Sequence, residues 1–199
     1  MPNNVTIETL IENSLKELSR IGKEDEIQQN AESQLIFPKY RNGKKRISEQ
    51  ELRFLLIREL EKQKEFYYSV ETPTKEEYVF SGSIENSLSA RIDLCLHNPK
   101  GKRVNLIELK YDNVDVRNDF LKLLCDCETE QNYFVQFVGN ADNRTIPSIE
   151  NKYEEALKYI LDEKIKIKSG VKIFLFVVKT ESLYRYEISK SGTLNKVKD

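Results

Sequence analysis

Three consecutive stretches decide how this chain folds: Arg91-Ile92-Asp93-Leu94-Cys95-Leu96-His97, Asn98-Pro99-Lys100-Gly101, and Lys102-Arg103-Val104-Asn105-Leu106-Ile107-Glu108-Leu109-Lys110-Tyr111. The outer two are rich in branched apolar residues that suit strands, and the four between them are strong turn formers. Residues 90–97 and 102–111 therefore read as a β-hairpin. Side chains alternate along a strand, so Glu108 and Lys110 share a face. If residues 98–101 close the hairpin as an even-length loop, His97 faces Lys102 and Asp93 sits opposite Leu106. Asp93 then lies on the face of Glu108, one diagonal step away at roughly 7–8 Å between backbones. Arg91 falls opposite Glu108 in that register, as a cross-strand ion pair or a phosphate contact. An odd-length loop would turn one strand over and separate the two carboxylates.

Two carboxylates this close repel unless a cation joins them. A hard divalent ion such as Mg²⁺ takes carboxylate oxygens together with water and phosphate oxygens. A lysine two residues from one ligand adds a fixed positive charge, which suits metal-assisted hydrolysis of a phosphodiester. The same three residues also occur on ordinary half-exposed strands that carry surface charge.

Outward from the hairpin, Leu10, Ile11, Leu15, Leu18 and Ile21 recur at helical steps, predicting a helix over 5–21 that stops at Gly22. A second helix is expected from Ser48 to about Lys64, with Ser48 and Glu51 at capping-box spacing. Phe66–Val70 predicts a strand ended by Pro73, and Tyr78-Val79-Phe80 a second one. Their aromatic residues suit core packing or a stacking surface. Helices are expected over 116–127 and 148–164, and strands over 133–138, 171–179 and 183–189. This order predicts an α/β chain with a central mixed sheet flanked by helices.

Asp93, the Glu108-Leu109-Lys110 triplet fifteen residues later, and Glu51 on a preceding helix resemble the PD-(D/E)XK nuclease superfamily, with its restriction-endonuclease-like fold. The expected element order over residues 47–139 is similar to that family's αβββαβ core. Residues 1–46 would be an N-terminal helical and basic extension, and 140–199 a C-terminal helix plus strand pair, all within one domain. The resemblance implies that Asp93 and Glu108 are metal ligands, joined by the backbone carbonyl of Leu109. It also implies that Lys110 positions the attacking water and that Glu51 supports the site. Mg²⁺, with Mn²⁺ as substitute, would be the cofactor and DNA the substrate. Ile92 stands where the family name has proline, a position that touches no chemistry. The superfamily also includes inactive members, so a module that binds nucleic acid or a protein partner is the competing expectation.

The 199 residues hold 32 Lys+Arg against 33 Asp+Glu, which excludes a uniformly basic coat protein. Positive charge concentrates in Lys39, Arg41, Lys44, Lys45 and Arg46, a run around Tyr40 that could track a nucleic-acid backbone or form a solvated loop. Lys122, on the helix after the triplet, reads as a solvated cation in preference to a phosphate contact. The six-residue apolar run Ile173–Val178 is far short of the ~20 needed to span a bilayer. Three cysteines and no signal-peptide pattern at Met1 suit a reducing cytoplasm. One histidine, His97, gives little scope for a histidine-based nuclease, and no phosphate-cradling glycine loop is present. Cleavage of both strands of a duplex would favour a two-fold dimer.

Overall fold

Among the described residues, seven strands form a single open sheet in the order in which the chain makes them, β1-β2-β3-β4-β5-β6-β7. A computed structural model describes residues 5–23, 35–78 and 88–197. The elements are α1 (Ile7–Lys23), α2 (Glu49–Glu61), β1 (Tyr67–Tyr78), β2 (Leu88–His97), β3 (Arg103–Tyr111), α3 (Arg117–Cys125), β4 (Gln131–Val138), α4 (Thr145–Asp162), β5 (Gly170–Val177), β6 (Ser182–Ile188) and β7 (Leu194–Lys196). β1, β2 and β3 are antiparallel, β3, β4 and β5 parallel, and β5, β6 and β7 antiparallel again. The fold is α/β with a mixed sheet, and helices cover both of its faces. The 140–199 stretch adds to the same sheet. It contributes the expected helix and strand pair and one further short strand, β7. No helix among the described residues is long and apolar enough to cross a membrane.

Strand alternation sorts the core into two halves. Leu94, Leu96, Ile107, Leu109, Val135 and Phe137 pack under α1 and α2. Cys95, Leu106 and Phe134 pack under α3 and α4, where the Phe120 and Phe134 rings meet edge-on at 5.2 Å. The central strands are buried on both sides, which is why β4 and β5 read as near-continuous apolar runs. Thr6 caps α1, its hydroxyl accepting the Thr9 N–H at 3.2 Å.

Three local expectations change. Gly22 does not stop α1, which runs on to Lys23. A Cβ at that position would come within 2.9 Å of Ile47 Cδ1, so glycine serves close packing. Pro73 does not end its strand either. β1 lies at the sheet edge, where a missing N–H is tolerated, and it continues to Tyr78 past an irregularity between Pro73 and Glu77. Val79 and Phe80 lie outside the described residues.

The third change concerns the hairpin. Asn98 closes against Lys102, its N–H donating to the Lys102 carbonyl at 2.9 Å, and Gly101 adopts a left-handed φ of 75°. The loop is therefore odd in length, as in the three-residue turn that ends in a glycine bulge. His97 pairs with Arg103, not Lys102, and Leu96 then pairs with Asn105, so Val104 is an extra residue in β3. This second one-residue irregularity cancels the flip that the odd loop alone would cause. β3 ends two residues along from the expected register with its faces unchanged.

Candidate active site

The two-residue slide changes the neighbours of Asp93. The paired register ends at Leu94 with Ile107; carried one step further it would set Asp93 opposite Glu108, not Leu106. Arg91 accordingly leaves its expected place opposite Glu108; it pairs instead with Pro73 on β1, and its side chain is exposed. Beyond Leu94 the strands part, and the Asp93 carboxylate enters the gap. Its Oδ2 accepts the Leu109 N–H at 2.8 Å, a donor that the ladder would otherwise give to a backbone carbonyl. Because that N–H points along the sheet, Asp93 is held level with it, beside the Glu108-Leu109-Lys110 backbone. Asp93 Oδ1 accepts from Arg53 Nη2 of α2.

Glu108 projects toward α3 and is 2% exposed. Lys122 Nζ stands 2.7 Å from its Oε1, yet that oxygen receives no aligned hydrogen bond. Burial pushes the Glu108 carboxyl well above the usual carboxylate range. Lys122 pulls the other way, and the negative charges of Asp93 and Asp119 add to the rise. Lys110, on the same face, pairs with Asp119 Oδ2 at 3.0 Å, while Asp119 Oδ1 lies 3.1 Å from Lys122. Burial works to lower both ammonium groups. The surrounding acids outweigh it, and both end above the ordinary lysine value. The site is thus an alternating chain of charges, Arg53–Asp93 joining α2 to β2 and Glu108–Lys122–Asp119–Lys110 joining β3 to α3.

Lys122 is therefore no solvated cation. It is 9% exposed and also donates to the Arg91 carbonyl at 3.2 Å. The apolar spacing of α3 left it outside the buried stripe, although the whole of Asp119–Cys125 is buried. Asp119, one turn earlier, was missed for the same reason. Arg53 was missed because an arginine between Leu52 and Phe54 reads as an outward residue, whereas it is 8% exposed.

Glu51 meets residues just ahead of its own helix. Its carboxylate accepts from Ser48 Oγ and lies 3.0 Å from Arg46, and those partners lower its pKa against the opposing effect of burial. The acid of α2 that reaches β3 is Glu49, which accepts the Tyr111 N–H at 3.0 Å. Glu49 and Arg53 are four residues apart and so share one helix face over the gap.

The basic run divides. Lys45 donates to the Ile21 carbonyl at 2.6 Å, at the negative end of α1, and Arg46 pairs with Glu51. Lys39, Arg41 and Lys44 are exposed around a turn with Gly43 at a φ of 78°. Tyr40 of this turn is close enough to the Tyr111 phenol to help raise it, after burial and Asp112. The turn therefore stands at the same end of β3 as Lys110. Of the aromatic stretch on β1, Tyr67 is exposed while Phe66 and Tyr68 pack against the core.

Hard divalent ions take carboxylate oxygens, and the acids this site offers are Asp93 and Glu108. Asp93 and Glu108 lie near enough for the charge of the first to raise the second, and each already meets a cation, Arg53 and Lys122. Among the described residues no three His, Cys, Asp or Glu side chains gather as a metal cage. Water, phosphate and the Leu109 carbonyl would complete the shell. Cysteine and histidine chemistry finds no support here. Burial pushes the Cys95 thiol up to about 11, and His97 bridges Ser69 Oγ and the Gly101 carbonyl at the hairpin turn. Neither protein-family models nor curated proteins give a match to this chain.

Proposed function

We propose that the chain is a metal-dependent nuclease of the PD-(D/E)XK type, acting on phosphodiester bonds of DNA. The observation that carries this reading is the Leu109 N–H held by Asp93, which keeps that acid beside the Glu108-x-Lys110 triplet. The run α2-β1-β2-β3-α3-β4 supports it, since its order is that of a restriction-endonuclease-like core.

Asp93 and Glu108, with the Leu109 carbonyl, would hold Mg²⁺ or Mn²⁺. The ion supplies Lewis-acid polarisation of a phosphate oxygen and a lowered pKa for water. Lys110 orients the attacking water in line with the leaving oxygen, and Asp119 fixes its ammonium at 3.0 Å. Lys122 neutralises charge that builds on the phosphate side of Glu108. Lys39, Arg41 and Lys44 bind the backbone of the nucleic acid, because phosphate neutralisation supplies most non-specific affinity. A second copy would present a second site to the opposite strand, and the cytoplasm suits three free thiols.

The test is cleavage of plasmid, linear duplex, single-stranded DNA and RNA by the parent and Lys110→Ala, with Mg²⁺, Mn²⁺ or chelator. Cleavage by the parent and its loss in Lys110→Ala are expected. Equal rates for the two proteins would end the role given to Lys110.

One observation favours a second reading, a non-catalytic module that binds nucleic acid or a protein partner. Arg53 and Lys122 already neutralise the two carboxylates without an ion. A Mn²⁺ titration separates the readings, because a binding module has no reason to hold the ion at this gap.

A further inference from the structure

Arg53 joins two strands at the site. Its Nη1 lies 2.7 Å from Glu71 Oε1 on β1, and its Nη2 reaches Asp93 on β2. Val70 pairs with Leu94 and Thr72 with Ile92, so Glu71 stands directly across from Asp93. Glu71 does so with a left-handed φ of 49°, a conformation that costs a non-glycine residue about 1 kcal/mol or more. The backbone is thus bent at the point where a carboxylate meets the guanidinium. The two anchors are unequal. Glu71 is 43% exposed and Asp93 16%, while Arg53 itself is buried with its Nε lacking any partner.

A buried guanidinium with an unsatisfied donor is not seated for greatest stability. It is held by one arm at the rim and lays the other on a carboxylate that the nuclease reading assigns to a metal. While Nη2 lies on Asp93 Oδ1 it takes up one of that oxygen's acceptor positions and sets a positive charge against it, so a divalent ion on the same oxygen competes with that contact.

We infer that Arg53 is a positioning residue, which occupies the metal's place at Asp93 until an ion arrives. It then withdraws Nη2 while Nη1 stays on Glu71. The inference rests on the metal-binding reading of Asp93 and Glu108. In the ion-free protein Arg53 aims Asp93 at the Leu109 N–H and prevents the acids of β1, β2 and β3 from repelling one another. When the ion binds, the arm released from Asp93 lies beside the site, where phosphate is the anion that a guanidinium matches best.

Competition of this kind has a thermodynamic signature: what Arg53 gains on Asp93, the metal loses. Calorimetric titration with Mn²⁺ is compared for the parent, Arg53→Gln and Arg53→Lys, with folding checked by circular dichroism in chelator. Arg53→Gln is expected to bind Mn²⁺ about 10-fold more tightly or better, within the usual range of site coupling. Arg53→Lys keeps the charge, but a single ammonium cannot span Glu71 and Asp93, so it too should bind several-fold more tightly. A general charge effect would leave Arg53→Lys at the parent's affinity, and that result overturns the inference while the metal site stands. Absence of Mn²⁺ binding in the parent and both variants overturns the nuclease reading along with it. If Arg53→Gln fails to fold, Arg53→Lys alone decides.

Discussion

Replacing Lys122 by methionine removes the ammonium and keeps most of the side-chain volume. The ammonium's partners are Glu108 at 2.7 Å, Asp119 at 3.1 Å and the Arg91 carbonyl at 3.2 Å, and all three are deprived of it. Asp119 retains Lys110, but Glu108 is left 2% exposed without the cation that stood against it. Breaking a buried pair on one side costs about 3–5 kcal/mol when the remaining charge has no relief. Glu108 does have relief, because its carboxyl already sits above the ordinary range and can take up a proton. Between the ordinary carboxylate value and its raised one, the folded state holds a proton that the unfolded state has released. Stability therefore falls as pH rises through that window, by up to about 1.4 kcal/mol per pH unit for one proton. Lys122 pulls the Glu108 value down, so its removal extends the window to higher pH. Urea unfolding in chelator should show a loss of about 3–5 kcal/mol near pH 8. At lower pH, as Glu108 takes up a proton, the loss should shrink toward about 1–2 kcal/mol, for the interactions with Asp119 and Arg91. An equal loss at lower pH, or a loss below about 1 kcal/mol near pH 8, would refute this account of the Glu108–Lys122 pair.

The remaining expectations bear on the site and its approach. Asp93→Ala and Glu108→Ala should each abolish Mn²⁺ binding by calorimetry, and survival of binding in either would remove that residue from the ligand set. Glu51→Gln weakens the interactions with Ser48 and Arg46, so it should cost about 1 kcal/mol in urea unfolding and leave the cleavage rate intact; a collapse of the rate would return Glu51 to the site. Replacing Lys39, Arg41 and Lys44 together by alanine should weaken duplex binding. It should also flatten the dependence of log affinity on log salt, by about 0.9 for each phosphate no longer neutralised. An unchanged slope would make the turn an ordinary solvated loop.

Much of the fold follows from local pattern. The apolar spacing of Leu10, Ile11, Leu15 and Leu18 predicts α1, and the run Tyr133–Val138 predicts a strand. Both lie where expected, because burying a stripe or a pleat is a demand each segment makes on its own. Element ends are less legible. Gly22 and Pro73 look like stops, and neither acts as one, since the first answers to Ile47 on another segment and the second to its position at a sheet edge.

The acid and the amine of the triplet could be read from the sequence alone, because period-two alternation assigns Glu108 and Lys110 to one face whatever the register. Which residue faces Asp93 could not be read in that way. It depends on an odd loop at Asn98–Lys102 and an extra residue at Val104, two one-residue steps whose sum preserves the faces while moving the partner. The cations are further still from local reading. Arg53 comes to Asp93 from 40 positions away and Lys122 to Glu108 from the following helix, and Glu49 rather than Glu51 reaches β3. Only the packing of α2 and α3 on opposite faces of the sheet selects them. Buried charge is settled by whichever counter-ion the completed fold brings within reach, and sequence distance carries no record of that.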